Sequence, residues 1–325
     1  MVDREKVLVT GGAGFVGSHV VEGLVSAGFR VTVLDNLSTG KLGNIDESLR
    51  TGGARFVEGD VLDLKVVEEC VEGVDAVIHL AGVASVPLSV ENPALTYKTN
   101  VNGTLNLLNS CVRAKVGRFV FASSCAVYGE PRRLPVKESY VTRPVSPYAI
   151  SKVQAERRCV DFQEKKVLKT VILRLFNVYG PRQAATEYAG VITSFVDRVR
   201  RGLPLVVYGD GTQTRDFIHV RDVVDAFLRV LEVKKAEGRV FNVGSGKRVS
   251  VNELAKNVLE LAGLDLPIVY KKPREGDLKH MFADVSKAIR LLGYGAKVTL
   301  EDGLRTVFGS STTASDETER LLPQD

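Results

Sequence analysis

Tyr148 and Lys152 stand four residues apart in SPYAISKVQAE, just after a proline that opens a helix, so both side chains lie on one helical face. A tyrosine serves as a base at neutral pH only if its pKa falls by about 3 units from ~10, worth about 4 kcal/mol, and neighbouring positive charges can supply that. The phenolate then takes the proton of an alcohol while the hydrogen on the same carbon leaves as hydride. Taken singly, Y-x-x-x-K is common on exposed helices. A second run changes its weight. ASSCAVYG follows the strand-like RFVFA 24 residues earlier and puts Ser123 and Ser124 at the carboxyl end of a parallel strand, where ligands sit in doubly wound sheets. Ser124 is the expected hydrogen-bond partner of the reacting oxygen, with Ser123 as a helper.

The segment TGGAGFVG places Gly11, Gly14 and Gly17 three apart between a strand and a helix. A tight turn, close approach of a pyrophosphate and packing of the helix on the sheet each call for glycine there, and amides at the helix start then face phosphate. Asp35 ends the second strand 24 residues after Gly11, where a carboxylate accepts from both hydroxyls of an adenosine ribose. It would repel a 2′-phosphate, so NAD is expected rather than NADP. Asp60 in EGDVLD follows the third strand and is placed to hold the adenine amino group. Alone, it would be an ordinary turn or cap residue.

These groups need a frame, and the pattern provides one. Lys6–Thr10, Arg30–Leu34, the run around Phe56, AVIHLAG from Ala76, RFVFASS from Arg118 and VILRLF from Val171 read as strands. Helical segments alternate with them at Ser18–Ala27, Leu64–Cys70 and Leu95–Ala114. The expectation is an α/β fold: a Rossmann-like doubly wound parallel sheet with a smaller α/β substrate domain. Its boundaries are drawn at residues 1–175 for the NAD-binding domain, with a segment near 221–243 returning to it, 176–308 for the second domain, and 309–325 as a flexible tail. Helices are expected at Val191–Arg201 and Val251–Ala262.

Composition limits the alternatives. The chain has 325 residues, 44% of them hydrophobic, and a mean hydropathy of +0.03, which describes a globular protein with a sizeable core. No apolar run reaches the ~18 residues that cross a bilayer. Charges interrupt the N-terminus at Asp3, Arg4, Glu5 and Lys6, so no secretory signal is read and a cytoplasmic location is expected. The net charge of +5 is scattered and comes without a stacking platform, so an anionic small molecule is a better partner than nucleic acid. Cys70, Cys111, Cys125 and Cys159 match no metal or redox spacing and are read as reduced thiols. His19, His79, His219 and His280 are isolated from one another, so no metal site is expected.

TGGAGFVG, DNLSTGK, GDVLD, HLAG, ASSCAVYG, YAISK and RLFNVYGPRQ come in the order of the extended short-chain dehydrogenase/reductases, and from Val7 to about Val307 the chain resembles the nucleotide-sugar 4-epimerases among them. The resemblance implies a retained NAD, a UDP-sugar substrate such as UDP-galactose or UDP-glucose, and inversion at carbon 4 through a 4-keto sugar. Tyr148 would be the base, Lys152 would bind the nicotinamide ribose and lower the tyrosine pKa, and Ser124 would orient the sugar. Phe15, Val16, Asn36, Leu37, Ser38, Asp60, Val61, Leu80, Ala81, Asn100 and Val178 match the positions of NAD contacts. Ala84 stands where relatives often have Lys or Gln. Asn177, Val191, Val206, Tyr208, Arg215, Arg274 and Asp277 match positions that hold the nucleotide diphosphate, while Phe217 is read as packing. Arg182, Ala84, Ser85 and Val86 would shape the sugar end of the pocket. Met281 stands where a large aromatic in some relatives bars N-acetylated sugars, which leaves N-acetyl and uronic-acid substrates open. The related 4,6-dehydratases and decarboxylases usually carry an acid just after the serine, where this chain has Cys125 and Ala126, so elimination and decarboxylation are the lesser readings. An NAD-binding sensor or scaffold without turnover is the non-enzymatic alternative. Family members commonly pair through two long helices, here Leu95–Ala114 and Tyr148–Glu164, so a homodimer is implied.

Overall fold

Runs rich in β-branched residues at nearly every position suit strands covered on both faces, and those near the N-terminus form such strands in the computed structural model, which describes residues 5–184, 190–273 and 278–310. In chain order these are β1 (Lys6–Thr10), β2 (Arg30–Asp35), β3 (Ala54–Glu58), β4 (Ala76–His79), β5 (Arg118–Ser124) and β6 (Thr170–Leu175). Short strands follow: β7 (Asn177–Tyr179), β8 (Leu205–Tyr208), β9 (Thr214–Arg215) and β10 (Phe217–His219). The last three are β11 (Arg239–Val243), β12 (Val249–Ser250) and β13 (Ile268–Lys271). One seven-stranded parallel sheet has the order β11-β6-β5-β4-β1-β2-β3. The chain leaves β1 towards β2 and β3, then crosses back to β4. Ligand crevices open at such a reversal, over the carboxyl ends of the strands.

Helices cover both faces. The first six are α1 (Phe15–Ser26), α2 (Asp46–Arg50), α3 (Leu64–Val71), α4 (Val86–Glu91), α5 (Pro93–Tyr97) and α6 (Gly103–Arg113). The rest are α7 (Pro147–Glu164), α8 (Val191–Arg200), α9 (Val220–Glu232), α10 (Val251–Ala262), α11 (Ser286–Leu292) and α12 (Leu300–Gly309). Alternation along β1 sends Val7 and Val9 into a core shared with α1, α9 and α11, and Leu8 into a second core with α3, α6 and α7. A Cβ on Gly23 would lie 2.4 Å from Val224 Cγ1, so α1 and α9 meet at a glycine. A third core, around Phe195, Leu205, Leu254 and Leu304, holds α8, α10 and α12 against the paired short strands. β11 sits beside β6 in the main sheet, registered Arg239 to Val171. Among the described residues no helix is long and apolar enough to cross a membrane.

The helix expected over Leu95–Ala114 is not uniform. Between α5 and α6, residues Lys98–Asn102 form a π-helical turn, a wider coil that often marks a functional position. Asn100 lies on this turn and is buried.

Candidate active site

The carboxyl ends of β1 to β5 carry, in turn, the glycine turn, Asp35, Asp60, Leu80–Ala81 and Ser124. The turn admits no larger residue. A Cβ on Gly11, whose φ is +72°, would lie 2.7 Å from Ala81 N, and one on Gly17 would lie 2.0 Å from Gly11 O. Gly14 caps α1 without a side chain, so the first-turn amides of Phe15, Val16 and Gly17 have no capping side chain in front of them. Asp35 Oδ2 accepts from Ala13 N at 2.9 Å and Oδ1 from Leu37 N at 2.9 Å, which leaves each oxygen one acceptor position. Leu37 holds φ at 55° to make its bond. Asn36 Nδ2 donates to Asp60 Oδ2 at 2.8 Å, Leu62 N to Asp60 Oδ1 at 2.8 Å, and Ser38 N to Asn36 Oδ1 at 3.1 Å, so these residues form one polar edge. Val61 is buried with its side chain where a Cβ on Gly103 would be.

These residues fit a dinucleotide. The phosphate approach is lined by glycine and bare helix-start amides, and the carboxylate that ends β2 keeps acceptor capacity for a ribose diol while its charge opposes a 2′-phosphate.

On α7, Tyr148 and Lys152 are both buried. Ser146 caps this helix by accepting from Ala149 N at 3.2 Å, Pro147 occupies its first turn, and Ser89 Oγ of α4 accepts from Tyr148 N at 3.1 Å. Ser124 acts to lower the pKa of the Tyr148 phenol, yet burial dominates and pushes the phenol up to about 12. Lys152 Nζ donates to Ala122 O at 2.9 Å, lies 4.9 Å from the centre of the Phe121 ring, and is brought down to about 8 by burial. Burial is the largest cause of both shifts.

Ser123 also departs from expectation. Its Oγ donates to Glu156 Oε1 at 2.5 Å in the core, so it is no helper to Ser124. Ser124 Oγ instead accepts from Ala126 N at 3.2 Å.

A buried hydrogen-bond chain links the two halves of the site. Thr10 Oγ1 lies 2.7 Å from His79 Nδ1, and His79 Nε2 lies 3.0 Å from Thr104 Oγ1. Because Thr104 donates to Asn100 O at 2.6 Å, it accepts from His79, which fixes the proton on Nε2 and leaves Nδ1 to accept from Thr10. Burial and the Lys152 charge bring His79 down to about 3. Asn100 spends its side chain inside the protein: Oδ1 accepts from Val83 N at 2.8 Å, and Nδ2 donates to Val83 O at 3.0 Å and Ser151 Oγ at 2.9 Å. Ser151 in turn donates to Tyr148 O at 2.7 Å. Asn100 thus shapes the Gly82–Val83 bend rather than reaching outward. The HLAG motif offered the only sequence signal for His79, and none marked Thr10, Thr104 or Ser151.

Asn177, Val191, Val206, Tyr208 and Arg215 line one cavity of about 220 Å³, and Val178, expected at the cofactor, lines it too with Phe217. Arg274 and Asp277 lie outside the described residues. A larger cavity of about 280 Å³, between Tyr128 and Arg143, is lined by neither Tyr148 nor Lys152. Three residues assigned to the sugar end are engaged elsewhere. Arg182, at φ 67°, pairs with Ser18 and Glu22 of α1. The Ser85 hydroxyl caps α4 by accepting from Leu88 N at 3.2 Å. Met281 is buried with Val127, Tyr128 and Phe176. Val86 and Ala84 are exposed.

Residues 7–244 match the NAD dependent epimerase/dehydratase family. The chain belongs to that family. It is 40% identical to a putative UDP-glucose 4-epimerase of Methanocaldococcus jannaschii over 93% of this chain and 96% of the relative. The crystal structure of UDP-glucose 4-epimerase with UDP-glucose from Thermotoga maritima superposes with a TM-score of 0.89 at 40% identity, covering 94% of this chain and 97% of that one. UDP-N-acetylglucosamine 4-epimerase from Methanobrevibacter ruminantium M1, in complex with UDP-N-acetylmuramic acid, gives 0.90 at 36% identity, covering 95% and 98%. The seven-stranded parallel sheet of this chain matches the Rossmann-like fold of these epimerase structures.

Proposed function

We propose that this protein is an NAD-dependent UDP-sugar 4-epimerase, with UDP-galactose and UDP-glucose as its substrate pair. The observation that carries the reading is the buried pair Tyr148 and Lys152, one helical turn apart on α7, with Ser124 at the carboxyl end of β5 among the groups that bear on the phenol. Gly11, Gly14, Gly17, Asp35 and the Asn36–Asp60 edge would hold NAD. When bound, NAD supplies a reversible acceptor for the hydrogen on carbon 4 and a positive charge near the phenol.

Tyr148 takes the proton of the sugar 4-hydroxyl, and Ser124 donates to the carbonyl oxygen that replaces it. Arg215, Asn177 and Tyr208 grip the nucleotide diphosphate in the 220 Å³ cavity while the 4-keto sugar turns about its diphosphate link. The sugar's other face then meets the same groups, Tyr148 returns the proton, and carbon 4 is inverted with no net redox change. A neutral thiol and a methyl group follow Ser124, at Cys125 and Ala126, so no carboxylate stands there to assist loss of water or of carbon dioxide. This favours epimerisation over elimination.

The test is incubation with UDP-galactose, UDP-N-acetylgalactosamine and UDP-glucuronate without added NAD, followed by separation of the products. Interconversion at carbon 4 is expected, and Tyr148→Phe is expected to lose about 10³-fold or more of turnover while keeping its cofactor. A 4-keto-6-deoxy sugar or carbon dioxide as product would overturn the reading.

We also propose that the protein acts as a homodimer. α4, α5 and α7 lie against one another and carry the exposed apolar residues Val90, Leu95, Ile150 and Val160. Sedimentation of the native protein as a monomer at micromolar concentration would refute this.

A further inference from the structure

Tyr148, Lys152 and Glu156 follow one another at four-residue intervals on α7, and all three are buried. Glu156 lines neither of the two cavities described above. It is gripped instead by Arg174 of β6, whose Nε donates to Oε1 at 2.9 Å and whose Nη2 donates to Oε2 at 2.6 Å. Ser123 adds the third bond, at 2.5 Å. Arg174 is held on its other sides by the Tyr128 ring, 4.8 Å from Cζ to the centroid, and by Glu138 O at 3.3 Å. Two adjacent residues of β5 therefore hold two successive turns of α7: Ala122 O accepts from Lys152, and Ser123 Oγ donates to Glu156.

Resting on the catalytic assignment above, we propose that Glu156 is a positioning residue that keeps Lys152 cationic and seated against β5, so that its charge is present when Tyr148 gives up its proton. The groups bearing on Lys152 come from several elements. His79 on β4 is neutral, the Cys159 thiol on α7 is pushed far up by burial, and the Tyr148 phenol is protonated in the protein alone. Glu156 is then the one formal negative charge among them. Burial lowers the Lys152 pKa, and Glu156 is the first of the groups that oppose this. Removing the Glu156 charge leaves burial unopposed, and the lysine becomes neutral at a lower pH. Tyr148 then ionises at a higher one.

The decisive variant is Glu156→Gln/Arg174→Gln, which removes both charges together and so leaves no unpaired ion in the core. Three readouts are taken on the full protein with its bound cofactor: thermal melting, NAD content, and the pH profile of kcat and KM for UDP-galactose. The expected result is retained NAD, KM within about twofold of native, and the ascending limb of kcat moved to higher pH by about one unit, which is about tenfold in rate on that limb. An unmoved limb in the folded double variant, or a shift to lower pH, overturns the proposal. Tyr148→Phe is run alongside: turnover in that variant would defeat the proposed function itself, whereas an inactive Tyr148→Phe with an unmoved limb in the double variant defeats only the role of Glu156.

Discussion

The neutrality of His79 can be measured as a slope of stability against pH. Its ordinary value is 6.5 and the folded protein brings it to about 3. Between those values the unfolded chain binds a proton that the folded protein refuses, so stability is complete above the unfolded value and falls as pH drops below it. At about pH 4.5 the gap of two units corresponds to about 3 kcal/mol, a large part of a domain's stability. The perturbation is His79→Gln, which cannot titrate. At neutral pH it is expected to be less stable than the native protein, since the Thr10 and Thr104 hydroxyls lose a matched buried partner, at about 1–3 kcal/mol. On acidification the native protein loses the His79 contribution and the variant does not, so the difference between them should shrink by about 3 kcal/mol by about pH 4.5. Urea unfolding of the two proteins at matched pH values gives that difference directly. Every other titrating group, including buried His219 and Asp216, contributes equally to both and cancels. A difference that stays constant with pH would mean that His79 carries a proton in the fold, and the hydrogen-bond directions assigned from Thr10 to Asn100 would be wrong.

Asp35→Ser should leave melting of the cofactor-free protein close to native while weakening NAD retention by about tenfold or more and narrowing the preference for NAD over NADP, read by identifying the released dinucleotide. An unchanged preference would remove Asp35 from the ribose. Arg215→Ala should raise KM for UDP-galactose by about 10–100-fold with a smaller change in kcat, because the lost contact is to the diphosphate in both ground and transition states. A fall in kcat at constant KM would place Arg215 in the chemistry instead.

The frame was legible because its signals are local. β-branched runs alternating with helical periods predict the parallel sheet, and the glycine spacing, Asp35 and the Tyr148–Lys152 interval each need only a short window of chain. β11, far along the chain, lies beside β6 in the same sheet. What escaped depends on partners far away in sequence. Ser123 reads from sequence as a helper to Ser124, but Glu156, 33 residues on, claims its hydroxyl. Arg182 looked like a sugar contact from its place after the YGP turn, but it reaches back 160 residues to Glu22. The π-helical turn carrying Asn100 has no composition of its own. The partners of Asn100 on that turn, Val83 and Ser151, lie 17 and 51 residues away. Glu156 was within reach of sequence reasoning, since a residue four beyond Lys152 shares its helical face.

The buried carboxylates show why a binding acid cannot be picked by burial alone. Asp216 accepts four hydrogen bonds, from Ser245 N at 2.7 Å, Ser245 Oγ at 2.6 Å, Gly246 N at 3.0 Å and Ala283 N at 3.0 Å, and its acceptor positions are filled. Glu156 is filled nearly as completely by Arg174 and Ser123. Asp222 accepts from Lys297 N at 3.0 Å and Val298 N at 3.1 Å, so by count it equals Asp35. The two differ in what their bonds accomplish. Those of Asp222 tie a distant segment to the first turn of α9, and that is a complete structural task. Those of Asp35 run to Ala13 and Leu37, on the glycine turn and just past β2, and orient the carboxylate at the end of a strand beside the sheet's reversal. Spare acceptor capacity becomes a ligand site only where the topology leaves a crevice in front of it, and among these four acids that condition singles out Asp35.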